Sequence, residues 1–285
     1  NDGSGARLDH KLVQEARAEE LAFLRDFGVY KKVPREAAGK GPFVTVRWID
    51  INKGDEQRPK YRSRLVAREL KCWDPMMAGT FAATPPLEGL KLLLSNFMTR
   101  SAEGTSFRKL CEQISEKRPP ADDDMVMMLL DVSRAHLHPP ITRKLFVELP
   151  PEEREEGADL VGELEKTMYG TRDASASWER FYTEIFELSG PLLEIFAPAC
   201  FFNATSKVQA WVHGDDKALL GTRKEVMALE KFLGERMLLK RAVLLGFAEG
   251  DDRSARLLNR IFELEIIDGI PALDFEPDPR HVQIG

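Results

Sequence analysis

Apolar residues recur at helical spacing through "LDHKLVQEARAEELAFLRDFG", residues 8–28, and the run closes on Gly28, which predicts an N-terminal helix. The pattern then switches to alternation. "FVTVRWIDINKGDEQRPKYRSRLVARE", 43–69, predicts two strands around a turn at Asn52, Lys53, Gly54 and Asp55. A helical period returns in "LEGLKLLLSNFMTR", whereas 101–124 is polar and Pro-bearing and predicts mostly loop. "MVMMLLD" is a short apolar run that closes on Asp131, as a buried strand would, and "KLFVELP" predicts a second strand. "SASWERFYTEIFELSG" predicts an amphipathic helix with Ser175 or Ser177 as its N-cap. "ACFFNATSKVQAWVHGDDKALLG" predicts strands joined by a tight turn, "RKEVMALEKFLGERM" a helix, and "KRAVLLG" a last strand.

Strands and helices alternate from 125 to 247, yet a hairpin at 209–220 requires antiparallel pairing. The expected class is therefore α+β, an antiparallel sheet with helices on one face in a split βαβ arrangement. No repeat or low-complexity tract interrupts the 285 residues. With 43% hydrophobic and 31% charged residues the composition is globular, and no apolar run approaches the roughly 20 residues of a membrane span. Cys72, Cys111 and Cys200 are odd in number and lack CxxC spacing, which argues against a disulfide framework or zinc knuckle and for an intracellular setting. The five histidines show no zinc spacing, and His10 and His138 read as surface residues. Trp178 and Trp211 fall at core positions. The polar start without Met suggests a piece of a longer polypeptide.

The net charge of −6 argues mildly against a nucleic-acid partner, but the charge is unevenly spread. Arg58, Lys60, Arg62, Arg64, Arg68 and Lys71 face a single acid, Glu69, and the first four share a strand parity. Two readings stand for them: a phosphate-binding strand, or a solvated edge guarded by cations. Asp215 and Asp216 pose a similar choice. Gly-Asp is ordinary turn chemistry, but with Asp131 at a strand end the three carboxylates form a set able to hold two divalent cations about 4 Å apart for in-line phosphoryl transfer. Mg²⁺ suits such a site because it takes few protein carboxylates.

An ordered series of stretches resembles the reverse transcriptase domain of copia-type retrotransposon polyproteins. "WIDINKGDEQRPKYRSRLVAREL" is similar to its fingers motif, and "GTFAATPPLEGLKLLLS" to the stretch that follows. "LDVSRAHLHP", "KLFVELPPE", "MYGTRDASASWERFY" and "SGPLLEIFAPACFF" come next in the family's order, and "WVHGDD" stands where the family has "YVDD". The match covers approximately residues 15–247.

The resemblance implies a polymerase-like palm plus a β-rich fingers subdomain. Residues 1–28 would be an N-terminal helical segment, 29–124 fingers-like, 125–247 the palm-like catalytic region, and 248–285 the start of a connecting region, ending before any RNase H domain. It implies RNA-directed DNA polymerase activity on an RNA or DNA template–primer with deoxynucleoside triphosphates, two Mg²⁺ or Mn²⁺ ions, a location in cytoplasm or nucleus, no membrane, and a larger polyprotein. Asp131 and Asp215 would ligate metal with Asp216 beside them, and Lys60, Arg62 and Arg64 would meet triphosphate or template. His136 stands where the family has the aromatic residue that filters the sugar, Asp173 where it has a glutamine near the nucleotide, and His213 where an aliphatic or aromatic residue packs. Tyr169 and Gly170 would lie under the template–primer, or simply lead into a helix. An inactive retroelement relic retaining the fold, and an unrelated metal-dependent phosphoesterase, are the competing expectations.

Overall fold

A computed structural model describes residues 8–39, 41–55, 57–70, 80–101, 118–190, 192–194, 197–267 and 270–277. Among the described residues it is a mixed α+β structure with several sheets and four helices. In chain order the elements begin with α1 (His10–Asp26), β1 (Tyr30–Pro34), β2 (Phe43–Val44), β3 (Val46–Asn52), β4 (Tyr61–Ala67), α2 (Leu87–Ser101) and β5 (Met125–Val132). They continue with β6 (Phe146–Glu148), β7 (Leu160–Leu164), α3 (Ala174–Leu188), β8 (Leu192–Glu194), β9 (Cys200–Asn203) and β10 (Gln209–His213). The last are β11 (Asp216–Thr222), α4 (Arg223–Gly234), β12 (Leu239–Leu245), β13 (Ser254–Leu257), β14 (Arg260–Ile267) and β15 (Ile270–Pro277). Two compact units are formed, one from Asn1–Ala82 with His136–Phe181, the other from Ala83–Ala135 with Tyr182–Gly285.

In the first unit α1 starts where Asp9 accepts a 3.0 Å hydrogen bond from the Leu12 N–H, an N-cap that satisfies an otherwise orphaned donor. It buries Leu21 and Leu24 in a core shared with Val29, Val44, Leu65 and Leu145. A four-stranded sheet runs β1-β7-β6-β2, with β2 and β6 parallel. β3 and β4 form a separate antiparallel ribbon. Their connection is longer than the four-residue turn expected. Asn52 Oδ1 accepts from the N–H of both Gly54 and Lys60, and Asp55 Oδ1 from those of Gln57 and Arg58. Asx-type bonds of this kind compete with ladder pairing, and beyond the Asn52–Tyr61 pair only the Lys53 N–H, which donates to the Lys60 carbonyl at 2.9 Å, continues it among the described residues. Lys60 therefore precedes the strand, and of the four basic residues expected on one face only Arg62 and Arg64 lie on β4, opposite the buried Ser63 and Leu65.

Gly170 is held to this ribbon by its neighbour: the Ala67 N–H donates to the Tyr169 carbonyl at 2.7 Å. The glycine has φ +84°, and a Cβ there would stand 2.0 Å from the Ala67 oxygen, so both conformation and space demand glycine.

The second unit is built on a six-stranded antiparallel sheet in the order β12-β5-β11-β10-β9-β8. β5 lies between β12 and β11 and is buried on both faces, which is why its sequence lacks alternation. One face carries Met127, Leu129, Trp211, Ala218 and Leu220, packed on Leu90, Leu93, Leu94 and Phe97 of α2. β13–β15 form a three-stranded antiparallel sheet whose Leu257, Phe262 and Leu264 join the same cluster. The other face meets α4, whose Val226 lies against Gly221, and the Tyr182–Leu188 part of α3, where Phe186 stacks on Phe201 at 5.6 Å. Helices thus cover both faces, because α2 supplies the second layer that the apolar residues on both sides of β5 require; the expected one-sided arrangement holds for α3 and α4 only.

Several local expectations change. α3 begins at Ala174, so Ser175 and Ser177 lie inside it and neither caps it. "KLFVELP" forms a strand as expected, β6, in the first unit's sheet. Trp178 and Trp211 are buried as expected, but His138 is buried too, ringed by Phe27, Trp178 and Phe181. Lys71, Cys72, Cys111 and most of the loop expected over 101–124 lie outside the described residues, and Cys200 is buried. Among the described residues no helix is long and apolar enough to cross a membrane.

Candidate active site

The hairpin between β10 and β11 closes with His213 paired to Asp216, leaving Gly214 and Asp215 as its two central residues. Only Gly214 has positive φ, +61°, the pattern of a type II′ turn with glycine first. No atom lies within 4 Å of the position a Cβ would take, so backbone conformation alone selects glycine here. The tip is anchored by the Val132 N–H, which donates to the Asp215 carbonyl at 3.0 Å.

On its far side β11 pairs with β5 so that Asp216 stands directly opposite Asp131. Asp131 in turn faces Lys240 on β12. Residues directly opposite in an antiparallel pair share a face, so His213, Asp216, Asp131 and Lys240 form one row across four strands. Asp215 projects from the exposed tip beside it. The His213 ring stacks on Trp211 at 5.6 Å and 14°, which ties the row to the α2-side core.

Like charges directly opposite are destabilising in a sheet, and the titration of Asp216 reflects it. Burial, then the charges of Asp215 and Asp131, push its carboxyl up to about 6. The unfolded value is about 3.9, so between these two the folded state binds more protons, and stability falls as pH rises through that window. The full shift corresponds to roughly 3 kcal/mol, and partial access to water reduces this to about 1–2 kcal/mol. In chelator at pH 7.5 Asp216→Asn is thus expected to be more stable than the wild type by that amount, with the difference gone by pH 4. Urea unfolding across pH checks this; a pH-independent gap would show that the crowding is absent.

Three carboxylates, all hard oxygen donors, fit a divalent cation such as Mg²⁺ in kind. In spacing they are not drawn together: among the described residues no group of three or more Asp, Glu, His or Cys stands close enough to hold a metal ion. Lys217, next along β11, points to the opposite face by strand alternation and is fully buried. Burial pulls its ammonium well below the ordinary lysine range, while Asp215, Asp216 and Asp131 oppose that fall.

The remaining candidate residues belong to the first unit. Arg64 lies with its guanidinium carbon 4.8 Å from the Tyr169 ring centroid, and its Nε is buried without a hydrogen-bond partner. His136 also meets Tyr169, with ring centroids 5.4 Å apart. Arg62 is half-exposed and Lys60 exposed. Asp173 is buried and paired with Arg143 at 2.9 Å, and Arg143 also grips both oxygens of Glu69 at 2.7 and 2.8 Å. Burial raises the Asp173 carboxyl, but the hydrogen bonds and charge of Arg143 outweigh it and leave the group below the usual carboxylate range. Glu69 further accepts the Arg172 N–H at 2.8 Å. The single acid of the basic segment is thus the partner of an arginine seventy-four residues on. Sequence reasoning missed Arg143 and Lys217. "ITRKLF" carries no signal for Arg143, whereas a lysine opening the apolar run "KALLG" was a legible anomaly.

No protein-family model matches this chain, and no curated protein does. Among solved structures it is similar to the foamy viral protease-reverse transcriptase in complex with dsDNA, at 12% identity and a TM-score of 0.45 over 94% of this chain and 43% of that one. It is similar also to apo telomerase from Candida tropicalis, at 10% identity and 0.44 over 98% and 63%. Telomerase from Candida albicans with a fragment of telomeric RNA gives 9% and 0.43 over 86% and 48%. The chain thus spans less than two thirds of each of these proteins.

Proposed function

We propose that the chain is a reverse transcriptase core of the copia type, a metal-dependent nucleotidyltransferase that extends a nucleic-acid primer on an RNA or DNA template. The observation that carries this reading is the register that sets Asp216 opposite Asp131 with Asp215 at the adjoining tip. An ordinary hairpin would gain nothing from aligning its acid with another strand's acid, and it would lose stability by doing so. In this reading the six-stranded sheet is the palm and the β3–β4 ribbon belongs to the fingers. Asp131 and Asp215 would hold two Mg²⁺ or Mn²⁺ ions with Asp216 beside them, and the chemistry supplied there would be Lewis-acid stabilisation of the charge that develops in phosphoryl transfer. Arg62 and Arg64, with Lys60 at the strand's entry, would bind phosphates of template or triphosphate. His136 would border the sugar. Asp173, at the position of a glutamine in the family, has its charge met only in part, because Arg143 is shared between it and Glu69.

Primer extension with deoxynucleoside triphosphates on an RNA template, with Mg²⁺ or Mn²⁺, tests the reading directly. A companion measurement tests the basic strand. Neutralising Lys60, Arg62 and Arg64 together is expected to weaken template–primer binding about equally for all sequences and to lower the slope of log K against log salt by about two to three. An unchanged slope would assign these residues elsewhere. The second reading, an inactive relic that keeps the fold and at most binds nucleic acid, is favoured by the absence of a gathered three-ligand group among the described residues. It predicts the same salt slope without extension.

A further inference from the structure

Three arginines of the first unit lie over aromatic rings among its described residues, and two of them are also paired with acids. Arg17, 5.1 Å from the Trp48 centroid, holds Asp50 and Glu152, and Arg35, 5.2 Å from that of Phe43, holds Glu148 and Asp159. Arg64 is the third, 4.8 Å from the Tyr169 centroid, and it has no acid. Among the described residues its guanidinium makes no ion pair and no hydrogen bond, and its Nε is buried. A guanidinium that rests its face on a ring keeps its N–H donors in its own plane, where a carboxylate or phosphate takes two at once. Arg17 and Arg35 fill that edge with carboxylates of the protein. Arg64 is built alike but turns its edge to no such group, and half-buried donors without an acceptor are costly to keep.

The ring beneath it is fixed in its turn. The Tyr169 carbonyl accepts the N–H of Ala67, three residues beyond Arg64 on β4, and its ring packs on the core that holds Leu65 and Leu137. His136 meets the same ring at 5.4 Å, and its own carbonyl accepts the hydroxyl of buried Thr167 at 2.5 Å. Lys60 and Arg62 share the parity of Arg64, but among the described residues neither side chain has a ring or an acid against it. We infer that Tyr169 is the positioning residue of Arg64, and that the two together form the phosphate-binding point of the basic strand. Lys60 and Arg62 then add charge without a fixed direction. That the phosphate belongs to a triphosphate or a template–primer rests on the polymerase reading above; the part of Tyr169 does not.

Inorganic tripolyphosphate, titrated calorimetrically into the full chain in chelator and low salt, is the probe. Arg64→Met is expected to weaken its binding about tenfold, and Lys60→Met or Arg62→Met no more than about threefold. Tyr169→Leu is expected to weaken it about fivefold and Tyr169→Phe hardly at all, while in the Arg64→Met background Tyr169→Leu should add nothing. Equal losses at Arg62 and Arg64, or a Tyr169→Leu effect that persists without Arg64, would overturn the inference. Should Tyr169→Leu not fold, Arg64→Lys decides. It keeps the charge but not the planar stack, so full recovery of affinity would overturn the positioning role. The same variants on template–primer, measured across salt, separate the two sources of phosphate. A log–log salt slope lowered by about one in Arg64→Met, with tripolyphosphate binding unchanged, would uphold the pair and assign it to the nucleic-acid backbone. No change in either measurement would overturn it. Phosphate binding that follows both residues in a chain that extends no primer would end the polymerase reading and keep the inference. Primer extension with both bindings indifferent to Arg64→Met would do the reverse.

Discussion

Asp131→Asn and Asp215→Asn are each expected to lower primer extension by at least about a thousandfold, roughly 4 kcal/mol of transition-state stabilisation. The physical ground is that a neutral amide is a poor ligand for a hard cation and cannot balance its charge, so the proposed Lewis-acid site would fail as a unit. Asp216→Asn is expected to cost far less, about tenfold, because in the proposed reading it is a neighbouring charge and not a main ligand. The register sharpens this test, since Asp216 and not Asp215 stands opposite Asp131. Extension assays on the three variants, with unfolding curves to show that each is folded, decide the order. If Asp216→Asn is the dead variant and Asp215→Asn the active one, the Asp131–Asp216 pair carries the chemistry. If none of the three falls, the hairpin is a turn and nothing more.

The largest expected effect on stability lies in the first unit. Arg143→Met should cost about 3–5 kcal/mol at pH 7, because it strands the carboxylates of Glu69 and Asp173, whose side chains are only 10% and 7% exposed. The sign with pH follows from the depressed Asp173 carboxyl. A group held below its unfolded value contributes stability above that value, near 3.9, and loses it as pH falls through the folded one. In Arg143→Met the same burial without the partner favours the neutral acid. The gap between wild type and variant should therefore narrow as pH drops from 6 toward 3. Urea unfolding at several pH values measures it. A gap under about 1 kcal/mol at pH 7 would mean that the two acids find water or another cation. Arg143→Lys should recover part of the loss only, since one ammonium cannot reproduce the bidentate grip on Glu69 and still reach Asp173.

Much of this architecture was legible from short-range pattern. The helical spacing of 8–28, the apolar run at 125–131, and a glycine before two acids between apolar runs each specify a local conformation through interactions a few residues apart, and each element formed where expected. Asp131 at a strand end and Asp215 with Asp216 at a hairpin tip were likewise visible, because strand termini and turns are local events. The β3–β4 connection shows the limit of that reasoning: alternation placed Lys60 on the strand, but two side-chain acceptors, Asn52 and Asp55, shape the connection so that β4 begins only at Tyr61.

Only the tertiary structure decided which strand pairs with which, and in what register. A shift of one residue would send Asp216 to the far side of the sheet from Asp131 while leaving every local pattern unchanged. It also decided that Lys217 is buried, that His138 belongs to an aromatic cluster, and that Glu69 and Asp173 share Arg143. Each of those outcomes depends on burial and on a partner tens of residues away. Periodicity and turn chemistry act over one or two turns of chain, whereas the dielectric surroundings and the ionic partner of a side chain are set by whatever the rest of the fold brings against it.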